Sequence, residues 1–114
     1  MTNSIEILNI KLTELQETIL HHLTISNDFQ YLCETLKIKN ITLSKILSSL
    51  KEKNLYINNE VTFEGKKMVN YIKFRNQTIY DFLNKYHLTN SKHLYNQLRN
   101  LDVKIIIALK NALT

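Results

Sequence analysis

The chain has no proline and only one glycine in 114 residues. Tight hairpins and left-handed turns draw heavily on those two residues. A fold made of many short strands would have almost no turn material here. Helix interiors are weakened by both residues and gain from their scarcity. A mostly helical fold is expected, with Asn and Ser marking the breaks. At this length one domain with a real core is expected, and the hydrophobic share of 44% suits a globular chain.

Apolar spacing places the elements. Thr13 followed by Gln16 has capping-box spacing, and Leu15, Ile19, Leu20 and Leu23 mark a helical face over about 13–24. Asp28 can cap a second helix over 29–37, with Phe29, Leu32, Cys33 and Leu36 on one side. A short turn follows, and Asn40 can cap a third helix over 41–53 that carries Leu43, Ile46, Leu47 and Leu50. Runs 55–57 and 61–63 flank Asn58-Asn59-Glu60, and Asn tolerates positive φ, so a small hairpin fits. Thr62 can cap a long helix over about 63–86 with Val69, Ile72, Ile79, Phe82, Leu83 and Tyr86 as its stripe. Thr89 or Asn90 can cap a shorter helix ending near Leu98, and Asp102 the last one.

Several function classes recede. The run of residues contains no phosphate loop, nucleophile elbow or paired acid/base site, so no enzyme is expected. Cys33 has no disulfide partner in the chain, and its place on an apolar stripe suits packing better than catalysis. His21 and His22 are adjacent and point about 100° apart on a helix, which is poor for joint chelation. No apolar run reaches the roughly 18–20 residues of a membrane span and no signal peptide is visible, so a cytoplasmic protein with no membrane partner is expected. The net charge of +5 suits an anionic partner.

The order helix, helix, tight turn, helix, hairpin, long helix is that of a winged helix-turn-helix. The third helix carries Thr42, Ser44, Lys45, Ser48, Ser49 and Lys51 between its apolar positions. Short hydroxyls can approach base edges and lysines neutralise phosphates. Double-stranded DNA is the expected partner, with Asn40 and Lys53 at the ends of the helix and Asn58 and Asn59 at the hairpin tip as further contacts.

FQYLCETLKIKNITLSKILSSLKEKNLYI resembles the helix-turn-helix of bacterial repressors, with Leu32-Cys33, Leu36-Lys37-Ile38 and Thr42-Leu43-Ser44-Lys45 at the corresponding places. Lys37 stands where that pattern favours glycine. EVTFEGKKMVNYIKFRNQTIYDFLNKYHLTNSKHLYNQL resembles the diphtheria-toxin-repressor/manganese-transport-regulator family in Val61-Thr62-Phe63-Glu64-Gly65, Phe74-Arg75 and Phe82-Leu83. The multiple-antibiotic-resistance regulators share much of the same pattern.

The family resemblance implies a homodimeric transcription regulator, most often a repressor, joined through its C-terminal helices. Ile105, Ile106, Leu109 and Leu113 are the expected interface. The family's metal site implies Glu14 and Glu17 as ligands, but its long-helix histidine falls on Asn76 and its last acidic cluster has no counterpart. No cofactor is expected, and a divalent transition metal is disfavoured. The expected organisation is a DNA-binding region over 1–63 and dimerisation helices over 64–114, in one compact domain. A winged-helix interaction module without sequence-specific DNA binding, such as an antirepressor or assembly factor, stands as the alternative.

Overall fold

The computed structural model describes residues 7–88 and 90–114. The chain is mostly helical: α1 (Glu14–Leu23), α2 (Phe29–Leu36), α3 (Asn40–Glu52), α4 (Phe63–Lys85), α5 (Lys92–Leu98) and α6 (Val103–Leu113), with a small antiparallel sheet of β1 (Tyr56–Ile57) and β2 (Glu60–Val61) between α3 and α4. It packs as two compact units. One is Leu12–Val69; the other joins residues 7–11 to Asn70–Thr114. The boundary falls inside α4 and not at its start, where sequence placed it.

The helix starts follow the side chains that cap them. Thr13 and Gln16 form a capping box, with Gln16 N–H donating to Thr13 Oγ1 at 3.1 Å and Thr13 N–H to Gln16 Oε1 at 2.9 Å. Asp28 accepts from Tyr31 N–H at 3.1 Å, Thr62 from Gly65 N–H at 3.0 Å and Asp102 from Lys104 N–H at 2.8 Å. Two expected caps differ. The residue before α3 is Lys39, which makes no side-chain cap, and Asn40 is already helical. Ser91 caps α5 by accepting from Leu94 N–H at 3.1 Å. Asn90 is therefore not the cap, and Thr89 lies outside the described residues.

The helix ends show how a chain this poor in glycine turns. Lys37, Asn54 and His87 have φ of 55°, 60° and 58°. Each sits just past a helix, and the next residue donates back five positions: Ile38 to Cys33 O, Leu55 to Leu50 O and Leu88 to Leu83 O, at 3.0, 2.9 and 2.7 Å. These are Schellman closures, which satisfy orphan carbonyls and favour an apolar residue at the donating position. Ile38, Leu55 and Leu88 supply it. Asn58 and Asn59 have φ of 54° and 63°, giving the two-residue turn whose twist suits a hairpin.

In Leu12–Val69, α3 packs against α1, α2 and β1, and α1 against β2. Ile19, Leu20, Leu32, Leu50 and Leu55 are fully buried. Gly65 is the chain's one glycine and sits where α4 meets the hairpin. A Cβ there would overlap the Leu55 carbonyl oxygen and come within 2.7 Å of Val61 Cγ1. In the other unit, Asn9 Oδ1 accepts from Val103 N–H at 3.1 Å, and Lys11 Nζ donates to the Asn100 carbonyl at 2.7 Å. Ile79, Val103 and Ile106 are buried there. Among the described residues, no helix is long and apolar enough to cross a membrane.

Candidate functional site

A helix of 13 residues such as α3 is marginal alone in water, so its packing decides which face is exposed. Leu43, Ile46 and Leu50 are buried. Burying each such side chain contributes about 1.5–3 kcal/mol, far more than any polar residue opposite could gain by turning inward. Ser44, Lys45, Ser48 and Lys51 are left exposed, with Thr42 half-buried. Ile41, at 62% exposure, and Glu52 share this surface.

Two open hollows lie along it. One, about 350 Å³, is lined by Ile41, Ser44, Lys45, Ser48, Ser49 and Glu52. The other, about 390 Å³, runs from Ser48, Leu47 and Lys51 of α3 to Phe29 at the start of α2. Tyr56, Asn58 and Asn59 of the hairpin complete its wall. The exposed Asn58–Asn59 turn is anchored, since Asn27 Nδ2 donates to the Asn59 carbonyl at 2.7 Å.

Not every expected contact residue is free. Ser49 is half-buried, and its Oγ accepts from Gln16 Nε2 and from Lys53 Nζ, each at 2.9 Å. Ser49 thus ties α1 to α3, and Lys53 is held back on its own helix. Asn40 is exposed, but its Oδ1 accepts from the Cys33 thiol at 3.1 Å and bridges the α2–α3 turn. Cys33 is only half-buried, whereas its place on the apolar stripe suggested a core position.

Of the residues implied as metal ligands, Glu14 is exposed and Glu17 buried. Asn76 is committed elsewhere: its Oδ1 accepts from Arg75 Nε at 3.1 Å, Arg75 Nη2 at 2.8 Å and the Tyr95 hydroxyl at 3.0 Å. Among the described residues, no three of His, Cys, Asp or Glu gather as a metal cluster. The four interface candidates do not share one environment. Ile105 is 50% exposed, Leu109 and Leu113 are half-buried, and Ile106 is fully buried within its own chain. Ile107, at 41%, is the other exposed isoleucine of α6.

The sequence places Tyr56 in the run 55–57 at the hairpin but does not mark the state of its hydroxyl. Its ring is buried at 5% exposure, and its hydroxyl is buried without a hydrogen-bond partner. Burial pushes its pKa above the ordinary tyrosine value. Alternation in a two-residue strand hints that it points inward, but nothing in the sequence marks an unpartnered hydroxyl. Comparison with protein-family models, with curated proteins and with solved structures gives no match for this chain.

Proposed function

We propose that the chain is a winged helix-turn-helix transcription regulator, acting as a repressor, that binds duplex DNA as a homodimer with α3 in the major groove. One observation carries the reading. The buried face of α3 leaves Ser44, Lys45, Ser48 and Lys51 together in solvent, beside an exposed hairpin tip. Short hydroxyls suit base edges and lysines suit phosphates. Lys45 and Lys51 are the phosphate contacts, Ser44 and Ser48 the groove contacts. Ser49 and Lys53 are engaged within the chain, through Gln16 and each other, and are not assigned as contacts. Two copies would set their α3 helices about 34 Å apart on a palindromic site. The resemblance to the diphtheria-toxin-repressor/manganese-transport-regulator family agrees with this reading, without its metal site.

The exposed Ile41 and Glu52 favour a second reading, a module that binds another protein through the same face. Salt separates the two. Affinity for duplex DNA should fall linearly with log salt, and Lys45→Gln should lower that slope by about one while leaving the fold intact. Lys45→Glu should abolish the gel shift at physiological salt. Wild-type affinity in Lys45→Glu, or a flat salt response, would exclude the DNA reading.

A further inference from the structure

The positive charge of the chain is not spread evenly. Residues 12–69, the unit that carries α3, hold seven Lys against seven Asp and Glu. Residues 70–114 hold seven Lys and Arg against two Asp, so the whole net charge of +5 falls there. Both of those carboxylates are engaged within the unit: Asp81 accepts from Gln77 Nε2 at 2.9 Å, and Asp102 caps α6. Of the cations, Arg75 is buried and bonded to Asn76, whereas Lys73, Lys85, Lys92 and Lys104 are exposed. Among the described residues, Lys73 and Lys92 have no ion-pair partner. Like charges gathered on so small a unit repel one another and set up a positive potential that an anion would relieve.

The cations stand among neutral donors. Asn70, Lys73, Gln77, Tyr80 and Asn84 recur at helical spacing along α4 and are all exposed, so they form one stripe roughly 20 Å long. Lys85 follows in the last turn. The Tyr95 hydroxyl donates to Asn76 Oδ1 at 3.0 Å and holds α5 against α4, with Lys92 exposed one turn before it. Such a polar and cationic surface has the make-up of a protein–DNA interface. Protein interfaces are depleted in lysine. A lipid surface needs a continuous apolar face, and on α6 Lys104 stands between the exposed Ile105 and Ile107.

We propose that residues 70–114 carry a second phosphate-binding surface, which holds the sugar-phosphate backbone of duplex DNA without reading its sequence. Lys73, Lys85 and Lys92 meet phosphates, and Asn70, Tyr80 and Asn84 donate to backbone oxygens. The surface stands on the charge and exposure of this unit; only its cooperation with α3 on one duplex rests on the functional reading. Linked in one chain, the two contacts raise each other's effective concentration.

The test follows binding of the full chain to a mixed-sequence duplex at several salt concentrations. Replacing Lys73, Lys85 and Lys92 together by Gln should lower the salt slope by about two to three and the low-salt affinity more than roughly tenfold. The thermal midpoint should not fall, since all three side chains are exposed. Replacing the same three by Arg should leave binding as in the wild type. Lys45→Glu, which acts on α3, should still bind the mixed duplex at low salt. Wild-type slope and affinity in the triple Gln variant would overturn the surface, as would an equal loss in the triple Arg variant, which would trace the effect to packing. Equal affinity for polyglutamate, or tighter binding to phosphatidylserine vesicles than to the duplex, would overturn the choice of partner. Loss of all binding in Lys45→Glu with none in the triple Gln variant refutes the second surface alone. Loss in the triple Gln variant, with Lys45→Glu unchanged at every salt and on every sequence, refutes the role of α3 alone.

Discussion

Lys37 shows how single residues here hold backbone positions that another residue would hold at lower cost. It closes α2 at φ 55° and ψ 47°. A Cβ in the left-handed region crowds the following carbonyl, a strain of roughly 1–2 kcal/mol that glycine escapes. Glycine also gives the unfolded chain more freedom, which offsets about half of the relief. Lys37→Gly should therefore stabilise the protein by about 0.5–1 kcal/mol, seen as a higher urea midpoint at unchanged slope. Lys37→Ala keeps the Cβ and should not. Equal gains from both would point to relief of charge repulsion in place of strain. The sequence showed that Lys37 stands where a glycine is favoured. The strain itself depends on φ, which only coordinates give.

Among the elements, legibility followed the range of the interaction. Thr13, Asp28, Thr62 and Asp102 cap helices within three residues of themselves, and their positions could be read directly. The Asn58–Asn59 turn was legible for the same reason, since both residues tolerate positive φ. Asn40 misled because its side chain has a competing partner in Cys33, one helix back. Ser49 misled because Gln16, thirty-three positions away, donates to its hydroxyl, and Lys53 because it donates to that same hydroxyl. Gly65 is the extreme case: a glycine near a helix start reads as a weakness, yet it lets α4 approach the hairpin. Two effects then oppose each other in Gly65→Ala. Helix propensity favours Ala by about 1 kcal/mol. Overlap with the Leu55 carbonyl and Val61 should cost about 1–3 kcal/mol, and backbone on the far side has little room to yield. The clash should win, with a net loss of about 1–2 kcal/mol in urea unfolding. A neutral or stabilised variant would mean that α4 and the hairpin do not meet this closely.

For the whole molecule, the question is how a single α3 helix could select a DNA site, and the proposed answer is a second copy. One helix reads only a few base pairs, and pairing two multiplies selectivity without any new contact chemistry. The unit that includes Asn70–Thr114 leaves large apolar side chains in solvent, among them Tyr80 at 57%, Tyr86 at 53% and Ile105 at 50%. Scattered apolar exposure is ordinary, so a direct test is needed, and α6 supplies a clean one. Ile106 cannot be used, because it is buried in its own chain and a charge there would unfold the helix. Ile105 is the better choice. It is exposed, and it is the third residue of a helix whose start carries Asp102 as cap. An acidic residue at that position is favoured by the helix dipole, so Ile105→Glu should keep the fold and its thermal midpoint. It should nevertheless place a charge on any apolar interface. The expected result in sedimentation is a shift from dimer to monomer, together with a steep loss of affinity for a palindromic duplex and little change for a single half-site. A variant that stays dimeric would move the interface off α6. A wild-type chain that sediments as a monomer would remove the paired-helix mechanism and leave α3 to act alone.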